Sequence, residues 1–176
     1  MKKLISLAVL GLSLVGCNQP VFNAKNVPAP APLTPPSTKE IRKEFSGKDW
    51  QLSLQDIGWR KGTSDGFALA LVNEDTKTMV MLESKKDEND LATVAEEREA
   101  EFRHDAEWTK TEVIFAGYSG IQYSLTTPRV QIWAWLTVAN GKRWLLTCGT
   151  PVDMAEANEE ACEDVAKHLV IVKAPK

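Results

Sequence analysis

Residues 130–148 read VQIWAWLTVANGKRWLLTC. In an extended chain successive side chains point to opposite sides. Gln131, Trp133, Trp135 and Thr137 then share one side, and Ile132, Ala134, Leu136 and Val138 share the other. Asn140-Gly141 follows, the pair that best tolerates the two positive φ angles of a type I′ turn. Residues 143–148 run back as the partner strand. The two indoles leave a choice open. If helices cover both faces of this hairpin, Trp133 and Trp135 are core; if one face is open, they form a platform for a partner protein, a sugar ring or a lipid.

Working outward, the patterns at 109–115 and 120–126 also read as strands, so the stretch from 109 to 148 is an antiparallel meander. Upstream, Trp50-Gln51-Leu52-Ser53-Leu54-Gln55 alternates apolar and polar residues as a half-buried strand does, and Ile57-Gly58-Trp59 continues it after a bend. The apolar runs 66–72 and 78–82 flank the turn-forming Asn73-Glu74-Asp75-Thr76 and predict a hairpin covered on both faces. Between these blocks lies a helix capped by Asp90, with Leu91, Val94, Ala95, Phe102 and Ala106 at the spacing of a buried stripe. Pro151 and Asp153 open a second helix, with Glu156 placed for a capping box and an inner stripe of Met154, Ala161, Cys162, Val165, Ala166 and Leu169.

Strands, a helix, several antiparallel strands and a closing helix make an α+β domain, an antiparallel sheet packed by helices. The strand opening at Trp50, the 66–82 hairpin, the helix at Leu91, the Gly117-Tyr118-Ser119-Gly120 link and the closing helix at 158–169 together resemble the PsbP-like fold. That fold is an α/β/α sandwich found in a photosystem accessory protein and in small bacterial envelope lipoproteins of the DcrB type. The resemblance spans most of 41–172, and no functional residue carries over from it.

The N-terminus is built differently. Lys2 and Lys3 precede an almost uninterrupted apolar run, residues 4–15, closed by Gly16 and Cys17. This is the layout of a secretory signal, and the run is too short for the roughly 20 residues that a membrane-spanning helix needs. Leu14-Val15-Gly16-Cys17 resembles the lipobox of bacterial lipoproteins. The resemblance implies that the signal, residues 1–16, is cut before Cys17, whose thiol is diacylated and whose amino group is usually acylated too. Two or three such chains, at about 0.8 kcal/mol per buried methylene, hold a protein on a bilayer. Residues 17–40 then form a tether: six prolines stand between 19 and 38 among small and polar residues. Residues 41–173 remain as one domain of ordinary size. Asn18 in place of Asp is compatible, by the same resemblance, with sorting to the outer membrane facing the periplasm.

Charge narrows the partners. The whole chain carries 21 basic and 24 acidic side chains, and loss of residues 1–16 removes Lys2 and Lys3 and no acid, leaving 19 against 24. An acidic domain gains nothing from counterion release on a nucleic acid or from anionic headgroups. Neither is an expected partner of the folded part; the lipid anchor is its link to the membrane.

Export places Cys148 and Cys162 in an oxidising compartment. With Cys17 acylated they are an even pair, and a strand-turn-helix return of 14 residues can bring them together, so a structural disulfide is expected in preference to two buried free thiols. The spacing is not that of a redox Cys-x-x-Cys pair.

No catalytic or metal motif is complete. Glu101-Phe102-Arg103-His104 matches Glu-x-x-His, yet the di-iron arrangement needs a second copy, and Val165 stands three before His168. Gly117-Tyr118-Ser119-Gly120 lacks the Gly-x-Ser-x-Gly spacing of a nucleophile elbow. No phosphate-binding glycine loop is present. The expectation is therefore a membrane-anchored envelope lipoprotein without catalytic, metal or cofactor residues, acting as an accessory, assembly or protein-binding factor. The alternative is a lipoprotein that binds a small ligand or glycan on the face carrying Trp133 and Trp135.

Overall fold

The computed structural model describes residues 42–55, 58–63, 65–102 and 107–172, and two antiparallel sheets carry most of them. The signal segment, Cys17, the tether and His104 lie outside the described residues. In chain order the elements are β1 (Arg42–Ser46), β2 (Trp50–Gln55), β3 (Trp59–Lys61), β4 (Leu69–Asn73), β5 (Thr78–Lys86), α1 (Leu91–Ala100), β6 (Glu107–Phe115), β7 (Tyr118–Thr126), β8 (Val130–Ala139), β9 (Lys142–Pro151), a 3₁₀ turn (Val152–Met154), α2 (Ala155–His168) and β10 (Leu169–Ile171). The larger sheet runs β3-β4-β5-β9-β8-β7-β6 and the smaller β1-β2-β10.

The β8–β9 hairpin sits inside the larger sheet, and its two-residue turn has φ of 55° at Asn140 and 68° at Gly141, both in the left-handed region. Its register opposes Trp133 to Cys148 and Trp135 to Leu146. One face of the larger sheet is lined by Trp133, Trp135, Trp144, Leu146, Cys148, Val80, Leu82 and Leu71. It packs on α2 and on the smaller sheet, which contributes Trp50, Leu52 and Leu54. The indole N–H of Trp144 donates to the Ala139 carbonyl at 3.2 Å, so its one polar group is satisfied inside the core.

The opposite face carries a smaller cluster: Val94 and Ala95 of α1 against Ile121, Tyr123, Ala134, Leu136 and Leu145. The asymmetry follows from dimensions. Seven strands at about 4.8 Å spacing make a sheet nearly 30 Å wide, and a ten-residue helix such as α1 is only about 15 Å long. On the first face α2, with 14 residues, is joined by three strands; on the second α1 is the one element laid over the sheet among the described residues. The domain is thus α+β and dominated by its sheets, and an even α/β/α sandwich is not what forms.

Several expectations are corrected. Trp59 does not extend the β2 strand; β3 crosses to the larger sheet and pairs with β4, because the bend at Gly58, φ 88°, redirects the chain. The β4–β5 hairpin is fully covered on one face and only partly on the other, where Ala70 is buried but Met79 is 46% exposed. Asp90 caps α1 through Thr93 N at 2.8 Å, yet the helix stops at Ala100, so Phe102 lies beyond it. No capping box opens α2. The 3₁₀ turn intervenes, with no side-chain cap at either start, and the Val152 N–H instead donates to the Arg129 carbonyl at 3.0 Å. β1 and β10 had no strand reading: β1 is largely polar, and β10 has three residues, too few to show a period.

Candidate functional site

Trp133 and Trp135 are 4% and 5% exposed and lie under α2. The face that carries them is closed, and of the two readings left open their burial favours core over platform. The cause is the second layer: α2 folds back over β8 and β9, and the smaller sheet closes the rest.

Cys148 and Cys162 are joined in the same layer, with sulfurs 2.02 Å and Cα atoms 5.7 Å apart. Both are fully buried. The bond ties α2 to β9, and Asn158 ties it a second time: its side-chain amide donates to Thr150 Oγ1 at 2.7 Å and to the Thr76 carbonyl at 3.0 Å. His168 closes α2, its Nδ1 within 2.9 Å of the Asp164 carbonyl and 3.0 Å of the Asp164 carboxylate, a helix C-terminal contact rather than a metal arrangement. Among the described residues no group of three or more His, Cys, Asp or Glu side chains is placed to hold a metal ion.

The open surface lies on the other face, beside α1. There Phe67, Met81, Leu125, Ile132 and Leu145 line a groove of about 450 Å³, with Phe102 at the end of the helix closing one side. Glu83, Arg98 and Glu101 form its polar rim, and Arg98 and Glu101 pair at 2.6 Å. Phe67 is 37% exposed, and Val130, on the same side of β8 as Ile132, has the same exposure. A concave apolar surface with a few charged groups at its edge is the usual form of a recognition site. The sequence pattern did not signal it, since the apolar stripe extends the helix past Phe102; the groove opens because α1 stops at Ala100.

Polar contacts add to the apolar packing of α1 on that sheet. Lys110 on β6 meets Glu99 at 2.7 Å, and the Tyr123 hydroxyl donates to the same Glu99 oxygen at 2.9 Å. Arg143 on β9 reaches Glu97 at 3.3 Å and Asp87 at 3.6 Å. Phe102, Trp108 and Tyr123 pack edge to face, with centroids 5.1 to 6.3 Å apart. The Lys110 hydrogen bond, aided by that from Tyr123, lowers the Glu99 carboxyl pKa below its ordinary value of 4.5. Burial, then the hydrogen bond to Glu99, raises the Tyr123 phenol pKa above 10.0.

The signs give a stability window. A lowered carboxyl contributes stability that is present above about pH 4.5 and lost as pH falls further; a raised phenol contributes stability present below about pH 10 and lost as pH rises beyond it. Denaturant midpoints measured across pH should therefore fall at both ends. Tyr123→Phe should remove the alkaline limb and lower stability at neutral pH by about 1 kcal/mol, the typical net value of a hydrogen bond. An unchanged alkaline limb in Tyr123→Phe would show that this contact does not carry it.

No family model matches the chain, and no curated protein matches its sequence. Solved structures do share its architecture. CyanoP, the cyanobacterial PsbP of Synechocystis sp. PCC 6803, superposes with a TM-score of 0.53 at 13% identity, over 80% of this chain and 99% of that one. LpqN of Mycobacterium tuberculosis, described as involved in cell envelope biogenesis, gives 0.53 at 13% identity over 75% and 91%. The Ran-binding protein Mog1p of Saccharomyces cerevisiae gives 0.51 at 11% over 76% and 97%. Identities this low establish a common fold, and the domain is accordingly PsbP-like in architecture.

Proposed function

We propose that this chain is a lipid-anchored envelope lipoprotein, non-catalytic, whose domain is an accessory or assembly factor that binds another envelope protein through the groove beside α1. The groove is the observation that carries the reading: it is an apolar surface left open by a helix too short for its sheet. The lipobox resemblance at Leu14-Val15-Gly16-Cys17 and the proline-rich tether support the anchor. By this reading Cys17 is the acylated residue and the domain faces the periplasm from the outer membrane. The fold it shares with LpqN and Mog1p, whose names attach them to envelope biogenesis and to Ran binding, is in keeping with a binding role. The ligand or glycan alternative loses its tryptophan-lined face, since Trp133 and Trp135 are buried.

Two measurements test the parts separately. Cys17→Ser should abolish acyl labelling and membrane retention, and continued labelling would refute the anchor. A photo-crosslinking residue at Met81 or Ile132, both half-buried in the groove, should capture one and the same envelope protein in intact cells, whereas Val170, exposed on β10, should not. Ile132→Arg should weaken that capture by the 2 kcal/mol or so expected of a central contact residue. Equal capture from position 170 would overturn the assignment of the groove.

A further inference from the structure

We propose that β6 is a contact through which two copies of this chain pair edge to edge, antiparallel about Thr111. β6 ends the larger sheet. Among the described residues its one strand partner is β7, in unbroken register from Glu107↔Thr126 to Phe115↔Tyr118. It is nine residues long, without proline, glycine or bulge. Such an edge presents a row of backbone donors and acceptors ready to pair with another strand. The far edge of the same sheet, β3, has three residues.

The side chains of β6 are complementary to themselves. Trp108, Lys110, Glu112 and Ile114 point to the face that carries α1, and all four are exposed, Ile114 at 76% and Trp108 at 40%. In an antiparallel pairing centred on Thr111, Lys110 lies opposite Glu112 of the second copy and Trp108 opposite its Ile114, and two-fold symmetry makes each contact twice. Moving the centre by one residue sets Lys110 against Lys110 or Glu112 against Glu112, and like charges directly opposite are unfavourable. Charge thus selects the register that also pairs the exposed apolar residues. On the other face the same register opposes β-branched Thr109 and Val113. Beside Ile114 a cleft of about 650 Å³, walled by Leu91, Ala95 and Ile121, leaves the apolar surface next to this edge open.

The inference rests on the β6 edge and not on the groove beside α1 or on the anchor, and it is tested in the purified full chain carrying Cys17→Ser, so that no other free thiol competes. Facing residues of an antiparallel pair have Cα atoms about 4.5–5.5 Å apart, within disulfide range. Thr111→Cys under mild oxidation should give a covalent dimer. Trp108→Cys with Ile114→Cys should do the same, whereas Ile114→Cys alone should not, because its two copies would stand about 20 Å apart along the strands. Glu112→Lys, which faces Lys110, should cut the Thr111→Cys dimer severalfold. A Thr111→Cys chain that stays monomeric, or equal crosslinking by Ile114→Cys alone, overturns the pairing. So does a Thr111→Cys chain in the envelope that links to a different protein instead of to itself.

Discussion

Replacing Cys148 and Cys162 together by alanine is expected to lower the free energy of unfolding by about 3 kcal/mol, the chain-entropy value for closing a loop of this length. The 14-residue separation sets that figure, and the location decides what survives the loss. The bond joins β9 to α2 within the layer that covers Trp133 and Trp135. Asn158 holds the same helix through Thr150 and the Thr76 carbonyl, so α2 should remain docked in the variant. Against a total stability of about 5–15 kcal/mol for an ordinary domain, 3 kcal/mol is a large fraction without being the whole. Urea midpoints of the variant, and of the native chain with and without reductant, measure the effect. A midpoint that reductant leaves unmoved, in a protein whose thiols have been shown to be free, would remove the disulfide from the account of stability.

Trp135→Ala should cost about 3–5 kcal/mol, the range for deleting a buried aromatic side chain and leaving a cavity. The same substitution on an exposed platform would change stability by about 0.5 kcal/mol or less and would appear as lost binding in a fully folded protein. The two outcomes separate core from platform in one experiment, and 5% exposure beneath α2 selects the first. Trp133 adds a further check. It stands opposite Cys148 in the β8–β9 register, so Trp133→Ala and loss of the disulfide share a site. Their effects should be non-additive, as those of residues in contact commonly are, by about 0.5 kcal/mol or more. Strict additivity would mean that the bond and the indole act independently.

How much was legible depended on the range of the interactions involved. The β8 strand was readable to the residue, because ten alternating positions and an Asn-Gly turn are local signals that agree. The pairing of Cys148 with Cys162 was readable for the same reason: 14 residues and one strand-turn-helix return leave the thiols few places to go. β1 and β10 were not, since their residues become strands only by adding to β2, more than a hundred positions away in the case of β10. β3 was drawn into the wrong sheet because a bend looks the same locally whether the chain returns to its own sheet or crosses to another.

The sequence by itself determined the local periods, the hairpin turns, the α+β class, the acidic net charge, and the resemblance to a lipoprotein signal at Cys17. Tertiary structure alone decided which face of each strand is closed. Alternation divides Trp133 and Trp135 from Ile132 and Ala134 without saying which pair meets solvent, because burial is set by what is laid over the sheet. Here α2 and the β1-β2-β10 sheet cover one side, and the shorter α1 covers part of the other. The apolar groove therefore opens beside Met81 and Ile132, and the tryptophans that drew attention in the sequence hold the core beneath it.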